Sequence, residues 1–237
     1  IASQPQWQVA YKSGDFNPDT DEHLTATATT NATVTLENLT QKKHYYVYVR
    51  AICDAENDIY SSWSSAADFT TDCGVYSLPY TYDFENADDM ECWSIVDGNT
   101  STGRTSSVGT DNSYGFRFVY NSNPPQYLLT PELTGTKSGI TVEFDYKNYN
   151  TANVETFYVG YAEATYDNDM DIFSYGDLIT ASDAQWHHHV VYFPATAKQI
   201  AFKYTSNDKY YLYIDNVTIK AYDKAISVGN WHTSSAP

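Results

Sequence analysis

The chain has 237 residues, and its 13 Lys and Arg against 30 Asp and Glu give a formal net charge of −17. Nucleic-acid backbones are bound through clustered cations, and here the basic residues are few and scattered, so a nucleic-acid partner is disfavoured. Hydrophobic residues make up 42% and aromatics 16%, which excludes a disordered acidic tail, and 23 Tyr against 2 Met favours pleated, half-buried surfaces over helices.

No apolar run approaches the roughly 20 residues of a membrane-spanning helix. The chain opens on Ile1-Ala2-Ser3-Gln4 without a hydrophobic targeting core, so an export signal is expected to have been removed or to lie upstream. Residues 7–11, 32–36 and 44–51 alternate apolar with polar, the last placing Tyr45, Val47, Val49 and Ala51 on one strand face. A turn over 61–65 leads into a further strand at 67–71.

Leu36-Glu37-Asn38-Leu39, Tyr45, Val47-x-Val49-Arg50-Ala51, Ser62-Trp63-Ser64 and Phe69-Thr70-Thr71 together resemble the second half of a fibronectin type III domain. The resemblance implies a tyrosine corner at Tyr45, its hydroxyl bonding back to the preceding loop. The family's first two strands have no counterpart before Trp7, so this domain, residues 1–72, is expected to be truncated at its start or completed by residues outside the chain.

From residue 73 the turn spacing changes. Nine candidate strands follow, at 80–85, 92–96, 115–120, 127–129, 140–146, 156–162, 186–193, 199–204 and 210–219, a number that suits a sandwich. The cleanest sets Ile140, Val142, Phe144 and Tyr146 against Thr141, Glu143, Asp145 and Lys147. The ordered motifs Leu78-Pro79-Tyr80-Thr81-Tyr82-Asp83-Phe84-Glu85, Cys92-Trp93-Ser94, Tyr127-Leu128-Leu129-Thr130-Pro131-Glu132-Leu133, Val142-Glu143-Phe144-Asp145-Tyr146 and Tyr213-Ile214-Asp215-Asn216-Val217-Thr218-Ile219 resemble cleaved-adhesin and choice-of-anchor domains. These are galactose-binding/MAM-like jelly rolls of bacterial secreted and surface proteins, and the match spans about residues 75–222. The expected fold is therefore all-β: a partial fibronectin type III (Ig-like) sandwich in 1–72, a jelly-roll β-sandwich in 73–223, and a linker or the start of another module in 224–237. The expected location is secreted or at the cell surface, in association with an outer membrane.

In the last strand Leu212 and Ile214 share one parity and Val217 and Ile219 the other, so the apolar face switches across Asp215-Asn216. A β-bulge does this most simply, and bulges re-aim side chains at sites. Asp215 is a candidate ligand, with Asp83 and Glu85 on the first strand and Asp97 in the turn after the second as partners. Converging hard oxygens suit Ca²⁺, which takes six to eight of them. The resemblance implies calcium ligation by Glu85 and Asp215 in particular, as a structural ion.

Other constellations read more blandly. Asp167-Asn168-Asp169-Met170-Asp171 begins like an EF-hand loop, but Ile172 stands where the turn needs Gly and Leu178 where a bidentate Glu is needed, so a solvated loop is the better reading. His187 and His189 share one strand face and His188 joins Trp186, Val190 and Tyr192 on the other, an ordinary strand surface with no further metal ligand at suitable spacing. Glu143 and Asp145 have the separation of a retaining glycosidase pair, yet share their face with Lys147 and lack a third carboxylate.

If 67–71 pairs antiparallel with the Tyr45 strand, Cys73 lies at the end far from Cys53, which favours a Cys73–Cys92 disulfide. MAM domains close their first strand onto the second in this way, and Cys53 is then left for a cysteine in the absent strands. Asn31, Asn38, Asn99 and Asn216 head Asn-x-Ser/Thr sites that matter only in a eukaryotic host. The loop over 100–112 is low-complexity Ser, Thr and Gly. The expected function is a non-catalytic, calcium-stabilised adhesion module of a larger exported bacterial protein, binding host protein or glycan beside other modules of its chain. The alternative is a carbohydrate-binding module appended to a secreted hydrolase, which exposed coplanar aromatics in a groove would favour, as a flat polar surface would favour protein adhesion.

Overall fold

Alternation of apolar and polar residues is realised as seventeen strands among residues 6–28, 33–207 and 210–222, the part of the chain that the computed structural model describes. The chain divides into two units, Ile1–Cys73 and Gly74–Pro237.

In the first unit β1 (Gln6–Ser13), β2 (Leu24–Ala28), β3 (His44–Asp54), β4 (Ile59–Tyr60) and β5 (Ala67–Thr70) form one antiparallel sheet, ordered β2-β1-β3-β4 with β5 also on β3. Val9 faces Val49 and Tyr11 faces Val47 across the central pair. The Tyr45 ring is buried and stacks on Phe69, 5.8 Å between centroids, and its hydroxyl accepts from the Thr40 backbone N–H at 2.8 Å. Arg50 lies over the Tyr60 and Trp63 rings, 3.8 and 4.3 Å from their centroids. The strand expected over 32–36 does not form at 33–36, and position 32 lies outside the described residues. The stretch is held by a side chain instead, the Tyr11 hydroxyl donating to the Glu37 carbonyl at 3.1 Å.

The second unit contains β6 (Tyr80–Tyr82), the short helix α1 (Ala87–Met90), β7 (Ser94–Val96), β8 (Gly103–Thr105), β9 (Gly115–Val119), β10 (Gln126–Leu129), β11 (Ile140–Asn148), β12 (Glu155–Ala162), β13 (Ser174–Tyr175), β14 (Ile179–Ala181), β15 (His187–Phe193), β16 (Gln199–Tyr204) and β17 (Tyr211–Ala221). A front sheet runs β15-β11-β17-β9-β8 with β6 on β17, and a back sheet runs β13-β12-β16-β10-β7 with β14 on β12. Val142, Phe144, Phe116, Phe118 and Ile214 from the front meet Phe157, Leu128, Ile200, Phe202 and Tyr204 from the back in one core. Phe144 stands edge-on to Phe202 at 5.1 Å. Burying each such ring contributes about 1.5–3 kcal/mol, which makes this two-layer jelly-roll sandwich the unit's stable state.

The bulge expected in the last strand is present: the β11–β17 register shifts between Glu143, opposite Thr218, and Asp145, opposite Asp215. Asn216, the inserted residue, sits at φ 50°, a left-handed conformation that Asn tolerates better than most residues. Val217 and Ile219 therefore return to the core while Asn216 and Thr218 face outward.

On the outer face of the back sheet Tyr127, Leu129, Ala162 and Ala201 form a second apolar cluster with Phe173 and, packed against it, Met170 and Ile172. The excursion after β12, including the EF-hand-like run, is thus a cover for this sheet. Gly160 permits it, since a Cβ there would lie 2.6 Å from the Tyr175 ring. Cys73 and Cys92 are disulfide-bonded and Cys53 is free and exposed. No helix among the described residues is long and apolar enough to cross a membrane.

Candidate functional site

Two regions of the second unit gather chemistry, an acidic corner and the outer face of the front sheet. At the corner β6 ends early, because Phe84 takes φ 60° and turns the chain after Tyr82. Asp83 and Glu85 therefore do not continue a strand face as their parity suggested. Asp83 caps the turn, accepting from the Glu85 N–H at 3.1 Å, and lines an open cleft of about 220 Å³ with Thr81, Asp89, Asn216 and Thr218. Glu85 Oε1 accepts from the Tyr114 N–H at 2.7 Å.

Asp215 is fully buried. Its Oδ2 accepts from the Thr110 N–H at 2.7 Å and the Thr110 hydroxyl at 2.9 Å, and its Oδ1 from the Asn216 N–H at 2.8 Å. No basic side chain among the described residues pairs with it, and burial, with the neighbouring Asp145 charge, pushes its carboxyl above the ordinary value. Glu85 and Asp215 thus converge on one segment, 110–114, which folds in closely because Gly109 and Gly115 leave no room for a Cβ: at Gly109 it would meet the Tyr114 carbonyl at 2.0 Å. Asp97 is not drawn in. It follows β7 at φ 54°, and its carbonyl accepts from the Asn121 side chain.

The corner already holds one cation. The Arg104 Nε donates to the Phe84 carbonyl and its Nη2 to the Glu85 carbonyl at 2.6 Å, while the guanidinium lies 3.5 Å from the centroid of the Tyr114 ring. Neither Arg104 nor Thr110 was a sequence candidate; both sit in the Ser-, Thr- and Gly-rich stretch that gave no readable signal. Among the described residues no three His, Cys, Asp or Glu side chains are grouped so as to hold a metal ion. The Thr110 hydroxyl donates to Asp215 and accepts from the Asn216 side chain at 3.1 Å, so the Glu85 and Asp215 carboxylates are both tied to the 110–114 segment.

On the outer face of the front sheet, cross-strand register builds a row. Lys147 of β11 faces Tyr213 of β17, which faces Arg117 of β9, and Trp186 precedes β15 beside Lys147. The Lys147 ammonium is 4.8 Å from the Trp186 ring centroid and 5.5 Å from that of Tyr213, and the Arg117 guanidinium is 5.1 Å from Tyr211. Covered by these cations, Tyr213 is buried, and burial pushes its hydroxyl up to about 12. Beyond the row Tyr149 and Tyr210 are 4.7 Å apart and contact Tyr211 at 5.3 and 4.4 Å. Tyr149, Tyr210 and Tyr120 remain 49%, 38% and 40% exposed.

The carboxylates of this face are occupied: Glu143 pairs with Lys220 at 2.6 Å, and Asp145 accepts from Asn216 Nδ2 at 2.8 Å and bonds His188 at 2.9 Å. His187 bonds Asp183 at 2.8 Å, and His189 turns inward against Phe144 at 5.5 Å. Of the glycosylation triplets, Asn31 lies outside the described residues, as does the stretch 224–237.

No protein-family model matches the chain and no curated protein matches it. Among solved structures, the K3 cleaved adhesin domain of Lys-gingipain from Porphyromonas gingivalis is 20% identical with a TM-score of 0.50, over 60% of this chain and 96% of that domain. The K1 domain of the same protein is 20% identical at a TM-score of 0.50, over 62% of this chain and 99% of that domain. The K2 cleaved adhesin domain is 18% identical at a TM-score of 0.52, over 61% and 99%. At these identities the likeness is one of fold: the second unit is an adhesin-like jelly roll.

Proposed function

We propose that the second unit is a non-catalytic carbohydrate-binding module of an exported protein, and that its ligand rests on the outer face of the front sheet. The observation that carries this reading is the aromatic surface, in which Tyr149, Tyr210 and Tyr211 cluster beside the row that runs from Trp186 through Lys147 and Tyr213 to Arg117, while the opposite sheet is covered by its own chain. Exposed aromatic rings offer apolar area with a polar edge, the combination that stacks on sugar rings and hydrogen-bonds their hydroxyls. The rings are inclined to one another by 33° to 78°, a stepped surface that suits a single twisted glycan chain better than a flat crystalline one. Glu143 and Asp145, each held by a partner on that face, serve the sheet and not a reaction.

A glycan array probed beside a panel of matrix proteins tests this. Binding to a glycan class, weakened about tenfold by Trp186→Ala or Tyr149→Ala, is the expected result. Capture by a matrix protein with silence on every glycan overturns it and makes the module a protein adhesin.

We further propose that Glu85 and Asp215 hold a calcium ion with the Thr110 hydroxyl, leaving Asp83 and Asp97 outside. The support is the buried Asp215 carboxylate that lacks a basic partner. For the first unit, the five-stranded sheet and the Tyr45–Thr40 bond support the reading as part of a fibronectin type III spacer. A spacer and an acidic, disulfide-bonded chain fit a secreted or surface-attached parent protein with further modules.

A further inference from the structure

We propose that the glycan taken by the front face is acidic, carrying carboxylate or sulfate groups that Lys147 and Arg117 receive while the aromatic rings stack on its sugars. This rests on the carbohydrate reading and narrows it. In a chain with 30 acidic residues and 13 basic ones, a cation on a sheet surface is expected to find a carboxylate, and Lys220 on the same face does so with Glu143 at 2.6 Å. Lys147 and Arg117 have no ion pair among the described residues. Their neighbours are aromatic faces: Trp186 and Tyr213 for Lys147, Tyr211 for Arg117.

Arg117 spends one donor, Nη2, on the Ser101 carbonyl at 3.2 Å, and its buried Nε has no hydrogen-bond partner. An orphaned donor of this kind costs free energy that an arriving anion, drawing the guanidinium toward itself, relieves. Lys147 is half-buried against Trp186 and Tyr213 with no carboxylate partner among the described residues, and burial pushes its ammonium below the ordinary value. The surrounding carboxylates do not compete, because Asp145 is engaged by His188 and Asn216, and Asp215 by Thr110 and Asn216.

The two cations sit on β11 and β9, the strands that flank β17, one to each side of Tyr213 in register, so charged substituents along one glycan chain can reach both while its rings cross the tyrosines. The net charge of −17 opposes such a ligand at long range. At physiological ionic strength, however, screening acts within about 8 Å, and the local pair decides.

The test is calorimetric titration of the full chain with three probes: an oligogalacturonate, a heparin-derived oligosaccharide and cellohexaose. At least one acidic probe is expected to bind about tenfold or more tightly than the neutral one, and comparison of the two acidic arms tells carboxylate from sulfate. In the Lys147→Gln/Arg117→Gln double variant the ratio of acidic-probe to neutral-probe affinity is expected to fall to about one, and a ratio that persists overturns the inference. Should the double variant fold poorly, raising the salt concentration about tenfold on the unmodified protein must weaken the acidic probe selectively. A neutral probe that binds as well as both acidic ones overturns this inference and leaves the carbohydrate reading standing; no binding by any glycan overturns both.

Discussion

Arg104→Met removes the cation that the acidic corner already contains while keeping an unbranched side chain of similar reach. The wild-type guanidinium donates to two carbonyls and stacks on Tyr114. Phe84 is fully buried, so the loss of its donor leaves an acceptor in the core, at about 1–3 kcal/mol. Glu85 is exposed and water replaces its donor, which reduces that loss to about 0.5 kcal/mol. The Tyr114 contact, at a partly exposed ring, adds about 0.5–1 kcal/mol. The total is about 2–4.5 kcal/mol, or a fall of about 4–18 °C in the melting temperature of a unit this size. Calorimetry of the full chain in chelator reads it, and only one transition should move. Arg104→Lys, which restores charge without the planar fork, is expected to fall between the two. A shift below about 1 °C for Arg104→Met would show that Arg104 is merely a solvated surface residue and refute the accounting.

The remaining expectations concern the ion, the histidines and the aromatic face. Calcium should raise the melting temperature and Asp215→Ala abolish the gain; identical melting in chelator and in calcium leaves Arg104 as the corner's cation and retires the ion. His189 is held below its ordinary pKa of 6.5 chiefly by burial, then by the His188 charge, so the unfolded chain binds more protons near that pH. Stability is therefore complete above about pH 6.5 and falls as pH drops toward the lowered folded-state value. His189→Gln should flatten that slope in pH-dependent urea melts, and an unchanged slope assigns it elsewhere. The slope stays well under the limit of about 1.4 kcal/mol per pH unit because the ring is only half buried. Trp186→Ala and Tyr149→Ala should lose glycan affinity with unaltered melting; equal losses of both would mean that the face is structural.

What the residues disclosed without coordinates was parity. Period-two alternation placed Ile140, Val142 and Phe144 inside, and the parity switch located the bulge to the pair Asp215-Asn216. Neighbourhood was not legible. That Lys147 lies between Trp186 and Tyr213 depends on the register of strands far apart in sequence, which alternation along any one of them does not encode. The corner was misjudged for a local reason: Asp83 and Glu85 were placed on a common face by assuming that the strand continued, whereas Phe84 turns left-handed. Arg104 and Thr110 escaped notice because the three residues of β8 are a strand only through their pairing with β9, with no apolar alternation of their own.

The first and last strands of the jelly roll lie side by side, Tyr80 opposite Ile219, so the chain enters and leaves the module at the same end. Tension transmitted along a multi-module protein would peel such a pair one bond at a time, the weakest loading geometry a sheet offers.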